Sequence, residues 1–181
     1  MSPAAARLQT ATMTRPHDLL LDAFGRAHEL VPSAIEDLSV TELLWRPDAD
    51  ANPIAWLVWH LARVQDDHLA ELGGVEQRYT ADGWAERFDL PYPTDALGYG
   101  QGSDDVGAFR LEDPSLLTGY HESVHAMTVE VVEAIDDFDR VVDERWDPPV
   151  TVAVRLVSVI NDVSQHVGQA AYVRGLALRR R

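Results

Sequence analysis

The sequence contains no cysteine and no lysine, and it has no uninterrupted apolar run of the roughly 20 residues that a membrane helix needs. Without cysteine, the chain can have neither disulfides nor a catalytic thiol, and a metal ion would have to be bound by His, Asp or Glu. Because long apolar runs are missing, we expect a soluble protein without a membrane partner.

Basic residues are scarce. There are 15 of them against 30 acidic residues, which gives a formal net charge of -15 and a pI near 4.6. Nucleic acids and anionic membrane surfaces require a basic patch, so this balance argues against both as partners. Small molecules and cationic proteins are compatible with it.

The first 15 residues lack the apolar core of a signal peptide. We therefore expect residues 1–15 to be a flexible tail and the protein to be cytoplasmic. The remaining residues, 16–181, are long enough for one domain with a substantial apolar core.

Four segments show the three-and-four spacing of apolar residues that is typical of amphipathic helices. Pro16 suits the first turn of the first helix, Pro32 predicts a kink or break in it, and Asn52-Pro53 predicts the start of the second. Gly73-Gly74 should end the second helix. The predicted helices cover residues 16–38, 53–72, 113–138 and 150–178, with a short helical turn at residues 39–45.

These patterns predict an all-α fold, a four-helix bundle with a long connection between the second and third helices. Residues 75–112 show no strong periodicity, and such a length permits the two helices that it joins to run parallel. The aromatic residues of the connection and its G-Y-G-Q-G run at 98–102 are candidates for a lid over a pocket. A strand-like piece at Val141-Val142 is the only hint of β-structure.

Residues 161–175 read N-D-V-S-Q-H-V-G-Q-A-A-Y-V-R-G. In a helix, Asp162 and His166 would lie on one face, as two ligands of one metal ion would. An apolar stripe follows the same side of the helix: Val152, Val159, Val163, Ala170, Val173 and Ala177. A carboxylate at the edge of this stripe needs a compensating partner. That partner is either a metal ion, an arginine or His166 itself, and the spacing does not distinguish them.

The third predicted helix contains His121-Glu122-Ser123-Val124-His125, a literal H-E-x-x-H motif. In metalloproteases the two histidines of this motif bind zinc and the glutamate activates water. Here the apolar stripe passes through Tyr120 and Val124, so His121 should face partly away from the core. The motif also lacks a clear third ligand. We therefore expect a solvated, acid-flanked helix face, and any role of the motif stays open.

Two histidines lie on the second predicted helix. His60 is on the shoulder of the apolar face, one turn after Trp56, and can point inward. His68 lies nearer the centre of that face, where we expect a core or network histidine rather than a ligand.

Residues 52–68, N-P-I-A-W-L-V-W-H-L-A-R-V-Q-D-D-H, resemble the second-helix signature of the DinB-like superfamily. They are most similar to its mycothiol-dependent branch, the mycothiol S-transferases and maleylpyruvate isomerases. The G-Y-G-Q-G run, the P-P-V-T-V-A-V-R-L stretch at 148–156 and the H-V-G-Q-A-A-Y-V-R-G stretch at 166–175 fit the same branch. The resemblance covers nearly the whole chain after the first 15 residues.

The resemblance implies a four-helix bundle with one divalent metal ion held by three residues, which correspond here to His60, Asp162 and His166. Many members have histidine where this chain has Asp162, and maleylpyruvate isomerases have a carboxylate there, usually Glu. Zinc is the expected ion, with nickel or another divalent ion as the alternative. Mycothiol is the expected thiol co-substrate.

We therefore hypothesise a metal-dependent thiol S-transferase that conjugates a low-molecular-weight thiol to a small electrophile. Trp56, Asn161 and Gln169 are candidates for contacts with the substrate or the ligands. Arg174 is a candidate for an anionic substrate or for a helix C-terminus. The alternative is a non-catalytic, metal-stabilised bundle with a stress-related or scaffolding role. A homodimer is compatible with either.

Overall fold

The structure is a computed structural model that describes residues 15–181. The predicted tail of residues 1–15 lies outside this range except for Arg15. In chain order the elements are α1 (Pro16–Ile35), α2 (Val40–Leu43), α3 (Ile54–Gly73), α4 (Arg78–Ala81), α5 (Trp84–Phe88), α6 (Ser103–Gly107), α7 (Ser115–Ala134), β1 (Val141–Asp143), β2 (Val150–Thr151) and α8 (Val152–Leu178). The four long helices form the predicted bundle, so the all-α prediction is confirmed.

Several helix ends follow the predicted signals. Pro16 is the first residue of α1, and Ser39 and Glu42 form the capping box of α2. Gly74 ends α3 in the left-handed region, with φ of 62°. The short helices α4, α5 and α6 lie within the connection between α3 and α7.

Three boundary predictions were wrong. Pro53, not Asn52, is the N-cap residue of α3. The helix α1 ends at Ile35 instead of the predicted residue 38, and Pro32 lies in its last turn without breaking it. The third long helix stops at Ala134 because Ile135 turns into an extended conformation.

The helix α3 packs mainly against α7 and α8, and α1 packs against the same two helices from the opposite side. Tyr120 of α7 contacts Asp66 of α3, and further along both helices Val131 approaches Gly73. These two helices therefore run parallel, and the connection of residues 74–114 returns along the bundle as predicted.

A small antiparallel sheet of β1 and β2 precedes α8, with Val141 opposite Thr151. The sequence indicated only the first of these strands. Over residues 15–181, none of the helices combines the length and apolar character needed to cross a membrane.

The helix α3 is buried around nearly its whole circumference, with sixteen of its 20 residues buried. These residues include Arg63 and Asp66, which are both 0% exposed and lie 3.6 Å apart. Buried charges are unfavourable unless hydrogen bonds satisfy them. The partners that satisfy them come largely from the connection between α3 and α7.

The Asp66 carboxylate accepts hydrogen bonds from the backbone N–H groups of Arg78 and Tyr79, each at 2.8 Å, and from the Tyr120 hydroxyl. Burial raises the pKa of Asp66, and these three bonds oppose that rise. The Arg63 guanidinium donates to the Gln77 side chain at 2.9 Å. It also donates to the carbonyls of Thr94 and Ala96 in the same connection. The network therefore fixes the connection onto α3.

A histidine cluster joins α1 to α7. The ring of His28 stacks on that of His125, with centroids 4.0 Å apart and planes at 5°, and its Nδ1 lies 3.4 Å from Nδ1 of His121. Glu122 lies 3.1 Å from the other nitrogen of His28. His121 is only 2% exposed. The prediction of a solvated face was therefore wrong, because His28 from α1 covers it.

Acid should weaken this contact. Burial, then the neighbouring His28 and His125, lower the pKa of His121 to about 3. Near pH 6.5 the unfolded chain therefore binds a proton at His121, whereas the folded chain does not. The contribution of His121 to the free energy of unfolding is fully present above that pH and decreases as the pH falls below it. From pH 7.5 to pH 5 the loss attributable to His121 is about 2 kcal/mol.

We expect a His121→Leu variant to lose less stability than the wild type over that pH interval, by about the same 2 kcal/mol. Urea unfolding at both pH values, with a chelator present to remove any metal contribution, gives the four free energies needed. Equal acid sensitivity in the two proteins would contradict this role of His121.

Candidate metal centre

The structure brings His60, Asp162 and His166 together between α3 and α8. Each residue offers one ligand atom, and these atoms all lie within 4.8 Å of one another. Within residues 15–181, no other group of three or more His, Asp or Glu residues converges in this way. His60 joins the other two residues because α3 and α8 are neighbours in the bundle, which the sequence alone did not establish.

His60 is oriented by the connection. Its Nδ1–H donates to the carbonyl of Leu97 at 2.5 Å, which leaves the lone pair of Nε2 free. The residue is 3% exposed. Burial lowers the pKa of His60, and the bond to Leu97 opposes this only in part. The imidazole is therefore held neutral, as a metal ligand must be.

His166 is oriented by its own helix. Its Nδ1–H donates to the side-chain oxygen of Gln169 at 3.0 Å, so its Nε2 also keeps a free lone pair. The structure therefore places Gln169 in contact with a candidate ligand, and its role there stays a prediction.

One carboxylate oxygen of Asp162 is buried without a hydrogen-bond partner among residues 15–181. Its Oδ2 lies 3.7 Å from Nε2 of His166, which is too long for a hydrogen bond. Its Oδ1 is buried and accepts no hydrogen bond from residues 15–181, and no arginine of that range forms an ion pair with it. Of the three partners considered for this carboxylate, a cation fits the geometry best, because two imidazole nitrogens and one carboxylate are a zinc-type donor set.

The G-Y-G-Q-G segment covers His60. A Cβ atom on Gly98 would lie 2.7 Å from Nδ1 of His60 and 2.9 Å from Trp56, and its φ of 99° also favours glycine. Tyr99 meets the His60 ring edge-on, with centroids 5.1 Å apart. The sequence indicated this segment only as a possible lid, because its contact with His60 depends on how the whole connection folds.

Trp56 forms one wall of the candidate centre. Its ring stacks on that of His60 with centroids 4.7 Å apart, and its Nε1–H donates to Gln101 at 2.7 Å. The predicted contact of Asn161 stays a prediction, since its side chain is exposed. Arg174 donates to the carbonyls of Ser33 and Glu36, so it satisfies the C-terminal end of α1.

His68 lies in a polar network, as expected. Its Nδ1 is 3.5 Å from Asp67 and 3.4 Å from Arg155. Burial, followed by the charge of Arg155, lowers the pKa of His68. It does not join the three candidate ligands.

Within residues 15–181, the H-E-x-x-H residues do not belong to a convergent group of three possible metal ligands. The lone pairs of imidazole nitrogens lie in the ring plane, so the nearly parallel rings of His28 and His125 cannot direct theirs at one point. His121 and His125 instead pack against α1. The metalloprotease interpretation therefore has no support in the geometry.

An open groove of about 720 Å³ borders the centre at Gln169. Its lining is largely apolar and amide, and Asp48 is its one charged residue. The lining residues are Pro47, Asp48, Ala51, Asn52, Leu57, Gln165, Gly168, Gln169, Tyr172, Val173 and Leu176. The groove provides space for a molecule larger than a ligand of the centre itself.

Comparison with known proteins agrees with this architecture. A crystal structure of a conserved protein from Enterococcus faecalis superimposes with a TM-score of 0.86 and 29% sequence identity, covering 91% of this chain and 98% of that one. No curated protein matches significantly. The family model of the DinB superfamily matches residues 23–170, most of the chain. The chain therefore belongs to the DinB superfamily.

Proposed function

We propose that this protein is a metal-dependent thiol S-transferase that conjugates a low-molecular-weight thiol, mycothiol, to a small electrophile. The observation that carries the proposal is the convergence of His60, Asp162 and His166 around a buried carboxylate oxygen that has no hydrogen-bond partner among residues 15–181. Membership of the DinB superfamily, in which metal binding is common, supports the metal. The resemblance to the mycothiol-dependent branch supports the thiol.

Three protein ligands leave a fourth position for a reactant, as in catalytic zinc sites. Zinc, or alternatively nickel or another divalent ion, would supply Lewis acidity that favours the thiolate form of the thiol at neutral pH. Other residues of the protein keep the three ligand side chains in position. Leu97 and Gln169 fix the two imidazole rings, and Trp56 walls one side of the centre.

In the proposed reaction the thiol sulfur forms a bond to the electrophilic carbon. The bond from that carbon to its leaving group breaks, the electron pair departs with the leaving group, and the thiol proton passes to solvent. The groove beside Gln169 offers room for the body of one substrate next to the reacting atoms. Holding both reactants in one place is itself a large part of catalysis.

The first test is metal content. We expect the wild type to bind about one divalent ion per chain and His60→Ala, Asp162→Ala and His166→Ala to lose it, because each removes a ligand. Mass spectrometry of purified, reconstituted samples measures this. His125→Ala is the matched control, since it removes a histidine from the cluster without a convergent donor set. Retention of the ion in all three ligand variants would exclude this centre.

The loop contact with His60 can be tested separately. Gly98→Ala should weaken metal affinity by about 10-fold to 100-fold, because the added methyl group displaces the ring whose orientation the ligand set requires. Gly100→Ala is the control: its φ of 72° is also positive, but its Cβ would meet no atom within 4 Å. Competition titration with a chromogenic chelator gives both affinities. Equal losses in the two variants would attribute the effect to strain alone.

Catalysis is tested with mycothiol and a halogenated bimane as the electrophile. We expect turnover by the zinc-loaded protein and a loss of at least about 100-fold in His60→Ala that still melts cooperatively, because the Lewis acid is gone. Glutathione in place of mycothiol tests the identity of the thiol. If metal binds and raises the melting temperature but no thiol is conjugated, the non-catalytic, metal-stabilised bundle is the better description.

A further inference from the structure

Tyr99 is an exposed residue that contacts the candidate centre. Its ring lies edge-on to that of His60, with planes at 90°, while 58% of the residue remains accessible to solvent. Partial desolvation, then the charge of Asp162, raise the pKa of Tyr99 to about 12. The Tyr99 ring therefore contacts one of the three candidate ligands, His60, and is reachable by an arriving molecule.

The backbone, more than side-chain packing, sets the position of Tyr99. It stands between Gly98 and Gly100, whose φ angles of 99° and 72° are those that glycine adopts readily. Hydrogen bonds on both sides fix this segment to α3: His60 donates to the carbonyl of Leu97, and Trp56 donates to the side chain of Gln101. A mostly exposed ring needs no such support for stability, which points to a role in recognition.

We infer that the Tyr99 hydroxyl donates a hydrogen bond to the anionic sulfur of a thiol bound at the centre of His60, Asp162 and His166. This inference rests on the proposed function. A phenol keeps its proton at neutral pH and is a donor, whereas both imidazoles use their Nδ1–H groups elsewhere. Tyr99 thus supplies a donor that the candidate ligands do not. Such a donor favours an anionic ligand over a neutral one, so Tyr99 is a positioning residue that selects thiolate.

The test uses the full-length protein loaded with Co²⁺, whose visible spectrum reports binding of an added ligand. The two probes are 2-mercaptoethanol, which binds as an anion, and imidazole, which binds as a neutral molecule. Tyr99→Phe keeps the ring against His60 and removes only the hydroxyl. We expect it to bind 2-mercaptoethanol about tenfold more weakly than the wild type and imidazole equally well, because a hydrogen bond to a charged acceptor is lost only in the first case.

Tyr92→Phe is the matched control. It also removes a hydroxyl from the connection, one that donates to the carbonyl of Asp105, and should leave both affinities unchanged. Equal thiol affinity in Tyr99→Phe and the wild type would overturn the role of Tyr99 and leave the proposed function standing. An equal loss of affinity for both probes would do the same, because it indicates a structural role. A wild type that binds no Co²⁺, or binds it without taking up the thiol, would overturn the proposed function and this inference together.

Discussion

The buried pair of Arg63 and Asp66 lies one and two turns beyond His60 on α3, with no exposure to solvent. Two charges in that position are tolerated only if their hydrogen-bonding capacity is used. Backbone groups and one amide from residues 77–96 use much of it. The same bonds therefore satisfy the ion pair and hold the connection onto the helix. Leu97, which follows directly, reaches the His60 ring for this reason.

The other two candidate ligands depend on a simpler constraint. Asp162 and His166 are separated by one helical turn of α8, so the helix backbone alone sets their distance from one another. Their approach to α3 is set by a continuous buried stripe that includes Val159, Val163 and Val167. Two of the candidate ligands, Asp162 and His166, are thus positioned by a regular helix, whereas the third, His60, is oriented by a loop.

The shared helix face of Asp162 and His166 was predictable from the sequence, whereas the orientation of His60 by the loop was not. Helix periodicity predicted the four long helices, and the spacing of Asp162 and His166 predicted their shared face. His60 entered through a family resemblance, because nothing in local spacing shows which helices become neighbours. Arg63 and Asp66 read as ordinary polar positions in a helix, since their burial depends on a connection folding back over them.

The same limit explains the error at His121, because the residue that covers it, His28, lies 93 positions away in the sequence. Short-range patterns determine which face a side chain takes on its own helix. They do not determine whether another element will cover that face. Predictions that required only the first kind of information, such as the start of α1 at Pro16 and the end of α3 at Gly73-Gly74, were confirmed.

Two helices of this bundle carry a pair of potential ligands four residues apart, and each pair meets a histidine from a neighbouring helix. At Asp162 and His166 the ring of His60 stands at 76° to that of His166, so their in-plane lone pairs can converge beside a carboxylate oxygen that has no hydrogen-bond partner in the described part of the chain. At His121 and His125 the incoming ring, His28, lies flat on His125, and its outer nitrogen already faces Glu122. Spacing along one helix therefore provides two donors in either place. Two features distinguish the clusters as candidate ion sites: the angle between the histidine rings, and whether the nearby carboxylate already has a protein partner.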